Sequence, residues 1–287
     1  MKKIAVLNDL SGLGKCSLTA AIPVISVMGV QACPLPTAIL SNQTGYESYY
    51  CDDYTDRLDQ IMEEWQKRNF CPDGIYTGFV AGSAQIEKIL KFLELFRGKD
   101  TLVLTDPVMG DRGGAYDFLT QELCDEMREL VKQADVITPN LTEAILLLEP
   151  LARLEECWRE ISCLDRERLC KRVEEMAFEI QRRFHVSALV VTGIDLDGKD
   201  GTEEIGNMIL EKGEVSWVVT EKYGGSYSGT GDLFASVLSA GMVKGMEMKK
   251  CVEKAVNFLS QAIRDAVEDG TDRNDGVCFE TYLYQLA

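Results

Sequence analysis

Six short, almost uninterrupted apolar runs constrain the fold of this chain more than any other feature. They span residues 3–7, 74–77, 101–105, 135–138, 188–192 and 216–219. Each is too short for a typical helix and lacks the strict alternation of a half-solvated strand, so each reads as a strand buried on both faces. Helical patterns separate most of them. In residues 251–267, for example, Val252, Val256, Leu259, Ile263 and Val267 fall on one stripe. Repeated strand–helix alternation predicts an α/β fold: a mostly parallel sheet with right-handed crossovers and helices on both faces, in three layers. In such sheets ligands bind beyond the carboxyl ends of the strands. Those ends are polar or glycine-rich here: Asn8-Asp9-Leu10-Ser11-Gly12, Thr77-Gly78-Phe79, Asp106 to Asp111, Pro139-Asn140 and Thr192-Gly193.

No Ser/Gly/Pro-rich linker divides the 287 residues, so one domain over 1–287 is expected. The charged stretch 151–183 reads as two surface helices over the sheet. Residues 195–206 read as a solvated turn. Their likeness to a calcium loop fails because a ligand position falls on Lys199. The net charge of −17 opposes binding to nucleic acid or an anionic membrane, because both need Lys and Arg to neutralise phosphates. A small anionic ligand then requires a locally positive pocket or a metal. The ten cysteines form no C-x-x-C pair, and the apolar run after Met1-Lys2-Lys3 is too short for a signal core. A cytoplasmic protein with free thiols is expected. His185 is the only histidine and falls where a helix would hand over to a strand. Chemistry is therefore expected from carboxylates, backbone amides and metal.

Gly229-Thr230-Gly231-Asp232 precedes a helical pattern in which Leu233, Val237 and Leu238 recur. A glycine-rich turn entering a helix leaves backbone N–H groups unpaired, and the helix dipole adds to their attraction for an anion. Two readings of Asp232 stand: an N-cap, or a general base beside a transferring phosphoryl group. Gly12-Leu13-Gly14-Lys15-Cys16-Ser17 resembles a P-loop but lacks its first glycine, and Cys16 stands where Ser or Thr is required. Asp106-Pro107-Val108-Met109-Gly110-Asp111 offers two carboxylates that can serve hydrated Mg²⁺ or satisfy their own turn. Thr138-Pro139-Asn140-Leu141-Thr142-Glu143 has the spacing of a helix cap with its capping-box partner.

Taken together and in order, these segments resemble the ribokinase-like small-molecule kinases. Ser41-Asn42-Gln43-Thr44-Gly45-Tyr46 and Thr77-Gly78-Phe79 resemble the vitamin B6 branch, the pyridoxal/pyridoxamine kinases. The resemblance implies a ribokinase-like α/β/α sandwich and ATP-dependent phosphorylation of a hydroxymethyl group on a substituted pyridine. It implies that Asp232 is the base and that the amides of Gly229, Thr230 and Gly231 hold developing charge. It implies that Asp106 and Glu143 organise Mg²⁺. Asp111, Thr138, Asn140 and Thr192 would line the phosphate path, with Tyr116 in a lid over the ATP. Asp9, Cys16, Thr44 and Phe79 would hold the ring. It also implies a homodimer, with a monovalent cation such as K⁺ as a further candidate cofactor. The segment with Tyr46, Tyr49, Tyr50 and Tyr54 would face the partner or cover the pocket.

Two positions depart from the B6 pattern: Asp9 stands where Ser is common, and Phe79 where Tyr is common. A carboxylate at the ring would favour a cationic vitamer such as pyridoxamine, whereas an Asp9 that caps its own turn would not. The nearest alternative is a hydroxymethylpyrimidine kinase of thiamin synthesis, whose Asp-Pro-Ser-Gly-Gly start resembles residues 9–14. That branch usually carries Cys at the position of Asp232. A sugar kinase fits less well, for want of a Gly-Gly turn near residue 40. A non-catalytic ATP or vitamer sensor would have no need of Asp232 beside its glycine turn.

Overall fold

The computed structural model describes residues 1–198 and 201–287; Lys199 lies outside the described residues. The fold is α/β, with a large, mostly parallel central sheet and flanking helices. In chain order the elements are β1 (Lys3–Ser11), α1 (Ser17–Val27), β2 (Gln31–Leu40), β3 (Cys51–Asp53), α2 (Thr55–Lys67), β4 (Gly74–Thr77), α3 (Ser83–Phe96) and β5 (Leu102–Thr105). They continue with β6 (Gly110–Asp111), β7 (Gly114–Ala115), α4 (Gln121–Val131), β8 (Val136–Ile137), α5 (Leu141–Leu148), α6 (Leu154–Ser162) and α7 (Arg166–Phe184). The last are β9 (Ala188–Asp197), β10 (Glu203–Glu211), β11 (Glu214–Glu221), α8 (Thr230–Val243) and α9 (Met248–Glu268). Two compact units emerge: residues 1–106 with 223–287, and residues 107–222.

In the first unit the strand order is β5-β4-β1-β2-β3, parallel except for β3. Ile4, Ala5, Val6 and Leu7 are buried, which explains their unbroken apolar run. Helix α1 buries Leu18, Ala21, Val24 and Ile25, and α8 buries Leu233, Val237 and Leu238. Fully burying one such large aliphatic side chain is worth about 1.5–3 kcal/mol. The sequence patterns leave β2 unassigned because Pro34 and Pro36 lie within it. Both occupy the stretch that β3 does not reach, since β3 pairs only with Ala38, Ile39 and Leu40. There a missing N–H breaks no ladder. The β1–β2 register shifts between Asn8 and Leu10, at Asp9.

In the second unit the order is β8-β9-β10-β11. Only β8–β9 is parallel there; β9–β10 and β10–β11 are antiparallel. This corrects the expectation for two segments. The run at 216–219 belongs to an antiparallel hairpin rather than a crossover. The described part of the supposed turn at 195–206 is largely strand, since β9 runs to Asp197 and β10 starts at Glu203. Lys212 and Gly213, at φ 54° and 79°, close β10 onto β11 as a two-residue turn. The 151–183 stretch forms α6 and α7 after a short 3-10 turn. Exposed His185 ends α7 in a left-handed conformation and hands the chain to β9. All ten cysteines are free thiols. Among the described residues, no helix is long and apolar enough to cross a membrane.

Candidate active site

Strands β1, β4 and β5 run parallel, and their shared register ends at Leu7, Thr77 and Thr105, so Asn8, Gly78 and Asp106 are the next residue on each. The N-terminus of α8 adds Asp232. Its N-cap is Gly229, at φ 79°, and a Cβ there would come within 2.1 Å of the Lys15 carbonyl oxygen. Only glycine allows both the left-handed turn and this close approach. Asp232 is the third residue of the helix, not its cap, so the capping alternative fails.

The side chain of Asp232 is held from several directions. Asn8 Nδ2 donates to its Oδ1 at 2.9 Å and Tyr76 Oη donates to the same oxygen at 3.3 Å. The Ser17 N–H donates to the carboxylate as well. Burial pushes the Asp232 pKa above the usual carboxylate range, while these three donors pull against it. Asn8 also accepts the Asp9 and Phe79 amides, at 3.0 and 2.9 Å. A side chain at position 78 would strike Asn8 Nδ2 at 2.5 Å, so Gly78 clears the space that Asn8 occupies.

Asp9 is buried, and its two oxygens accept from Ser17 Oγ at 2.5 Å and Ser11 Oγ at 2.8 Å. Burial is the main cause that pushes its pKa up to about 6, with the charge of Asp232 adding to the rise. Cys16 is buried, and burial together with the charges of Asp232 and Asp9 pushes its thiol up to about 12. It is therefore a neutral thiol rather than a nucleophile. Asp106 is buried, with Oδ2 3.7 Å from where a Cβ on Gly231 would sit. Phe79 joins the group through its amide to Asn8. Thr44 stands exposed in the turn after β2, whose neighbours Gln43 and Tyr46 bond Asn274 and Asp275.

The remaining predicted residues belong to the second unit. Asn140 caps α5: its side chain accepts from the Glu143 amide at 3.0 Å, and Glu143 Oε2 accepts from the Asn140 amide at 2.9 Å. Glu143 Oε1 accepts from the Met109 amide at 3.2 Å. Each carboxylate oxygen of this buried residue thus accepts one backbone amide, which gives Glu143 a capping part. Asn140 Nδ2 donates to the Gly110 carbonyl at 2.8 Å, and the Thr192 amide donates to the Pro139 carbonyl at 2.9 Å. Thr138 is buried in the same strand-end turn. Asp111 sits in the hairpin β6–β7, which turns through Arg112 and Gly113 at φ 50° and 78°. Gly113 faces Trp158, where a Cβ would come within 2.4 Å of the indole. Exposed Tyr116 follows the hairpin and stacks on Phe118 at 5.7 Å.

Among the described residues, no cluster of three or more His, Cys, Asp or Glu could hold a metal ion. The chemistry of the donor set still suits Mg²⁺, a hard cation usually bound by one or two carboxylates, its own waters and substrate phosphates. Asp106 can supply such an oxygen. Sequence reasoning missed Asn8, Tyr76 and Ser17. The polar end of β1 flagged Asn8 as near a ligand, but nothing local identified its partner.

Comparison with known proteins agrees with this fold. The phosphomethylpyrimidine kinase family profile matches residues 14–276. A Bacteroides thetaiotaomicron protein, provisionally named a phosphomethylpyrimidine kinase and crystallised with pyridoxal, is 34% identical. It superposes with a TM-score of 0.87 over 99% of this chain and 95% of its own. Pyridoxal kinase from Lactobacillus plantarum is 27% identical, with a TM-score of 0.82 over 100% of this chain and 96% of its own. The hydroxymethylpyrimidine/phosphomethylpyrimidine kinase of Bacillus subtilis is 24% identical over 278 residues, 94% of this chain and 92% of its own.

Proposed function

The chain belongs to the phosphomethylpyrimidine kinase family and is a phosphotransferase; from that premise we propose that it phosphorylates the 5′-hydroxymethyl group of a vitamin B6 vitamer with ATP. Asp232 accepts the hydroxyl proton as the vitamer oxygen bonds to the γ-phosphorus. The bond from that phosphorus to the bridging oxygen breaks, leaving ADP and the vitamer 5′-phosphate. The observation that carries this reading is the raised carboxylate of Asp232 at the head of α8, next to the glycine turn. A carboxylate lifted by burial is a better proton acceptor than a solvated one. The amides of Gly229, Thr230 and Gly231 are the donors for the transferring group. Asp106 would hold Mg²⁺ through water, and that ion would supply neutralising charge for the phosphates. Asp111, Tyr116, Thr138, Asn140 and Thr192 serve the nucleotide in this reading.

The B6 acceptor is favoured by Asp at position 232 and by the pyridoxal-bound relative. The family description and the Bacillus relative favour a second reading, hydroxymethylpyrimidine as acceptor. The reading gives Asp9 no part in choosing between vitamers, supported by its burial and by the Ser11 and Ser17 hydroxyls on its two oxygens. Equal efficiency on pyridoxal and pyridoxamine is therefore expected. The test is ADP release with Mg-ATP and K⁺ on pyridoxal, pyridoxamine, pyridoxine and hydroxymethylpyrimidine in parallel. Turnover on the vitamers supports the proposal. Turnover on the pyrimidine alone transfers the protein to the second reading.

A further inference from the structure

Ser17 is the first residue of α1, yet its φ is +51°, a left-handed conformation that side chains rarely adopt. Two things follow from that conformation. Its N–H donates to Asp232, and its hydroxyl donates to Asp9. One buried residue thus joins two carboxylates, the buried Asp9 from β1 and the half-buried Asp232 from the head of α8. Asp9 itself sits where the β1 register shifts, and such irregularities re-aim side chains. Ser11 donates to the other Asp9 oxygen, so both oxygens are engaged within the protein.

We propose that Asp9 and Ser17 are a positioning pair: Asp9 anchors the Ser17 hydroxyl, and the turn so fixed aims the Ser17 N–H at the Asp232 carboxylate. The pair acts on the reaction through Asp232 and touches neither substrate. The inference rests on the proposed role of Asp232 as base. The titratable groups facing Asp9 are Asp232, Cys16, Cys51 and Tyr76, and Asp106 faces Tyr76. The Asp9 pKa of about 6 agrees with a carboxylate beside another of like charge in a buried setting.

The experiment compares Ser17→Gly, Ser17→Thr, Asp9→Asn and Asp232→Asn with the wild type, using the best of the four acceptors. Glycine keeps the left-handed turn and the N–H but deletes the hydroxyl. Threonine keeps the hydroxyl. The expected result is a drop in kcat of about 10-fold for Ser17→Gly and Asp9→Asn, since small misplacements of a reacting group are costly. Both KM values are expected to stay within about twofold, and Ser17→Thr, which keeps the hydroxyl but strains the left-handed turn, to lose part of the rate. Unchanged kcat in a folded Ser17→Gly overturns the proposal. A rise in acceptor KM alone for Asp9→Asn also overturns it, because it would put Asp9 on the acceptor. Carboxyl ¹³C titration of Asp9 needs no acceptor. Its midpoint is expected to fall in Asp232→Asn, where the like charge is removed, and to rise in Ser17→Gly, where a donor to the ionised form is lost. An unmoved midpoint in both variants overturns the pairing. Full kcat in Asp232→Asn would remove the base assignment itself, a failure distinct from that of the pair.

Discussion

Asp232 in the first unit and Glu143 in the second occupy the same position in their helices, the third residue after the N-cap. Their surroundings differ at the cap. Asn140 offers an oxygen to the Glu143 amide and its own amide to the Glu143 carboxylate, closing a reciprocal box. Gly229 has no side chain to offer, and the shorter Asp232 is held by Asn8, Tyr76 and Ser17 from other elements. The Glu143 carboxylate accepts two backbone amides from its own neighbourhood, those of Asn140 and Met109. Asp232 is desolvated and raised. The comparison shows that an acidic residue in the first helical turn is tied into a capping box where the cap residue engages it, and is left to partners from other elements where it does not.

The largest test of that contrast is Asp232→Asn, which removes the proton acceptor while keeping similar volume. A loss in kcat of about 10³-fold is expected in steady-state ADP release, with little change in melting temperature. In the wild type, kcat should also fall as pH drops through the raised Asp232 pKa, since the protonated acid accepts no proton. The next effect is Gly229→Ala. The added methyl meets the Lys15 carbonyl and the turn must shift, misaligning the amides, so a loss of about 10²-fold is expected in the same assay.

Glu143→Gln should behave in the opposite sense. The amide side chain can accept only one of the two backbone N–H groups, so denaturant unfolding should show a loss of about 2 kcal/mol. Its kcat should fall far less than that of Asp232→Asn. The smallest effect concerns Asp9. A carboxylate whose folded pKa is raised favours the folded state below its unfolded pKa, and that contribution is lost as pH rises from the ordinary value of 3.8 through about 6. Asp9→Asn removes the penalty. It should therefore raise stability at pH 8 by on the order of 1 kcal/mol relative to its effect at pH 4, read from melts at the two pH values.

Much of this was legible in the sequence because it is local. The capping box at 140–143 and the glycine turn at 229–232 are contiguous motifs, and the structure builds a helix start at each. The parallel core strands announced themselves by apolar runs that burial on both faces requires. What stayed hidden depends on distance along the chain. Asn8 and Asp232 are 224 residues apart, and Tyr76 and Asp232 are 156 apart. No local pattern pairs them. The left-handed Ser17 is not written in its residue type, since serine has no preference for that region. Strand β2 was masked by two prolines that its partly unpaired outer edge tolerates. The β10–β11 hairpin is local too: Lys212-Gly213 between two apolar runs is a turn signal, and both residues are left-handed.

The central claim, that Asp232 serves phosphoryl transfer to a B6 vitamer, is tested most directly by competition. Equimolar pyridoxal and hydroxymethylpyrimidine are incubated with limiting Mg-ATP, and the phosphorylated products are resolved and quantified for the wild type and Asp232→Asn. The account predicts pyridoxal 5′-phosphate as the dominant product of the wild type and almost none from the variant. Phosphorylated pyrimidine as the dominant product would contradict the substrate, and undiminished product from Asp232→Asn would contradict the base.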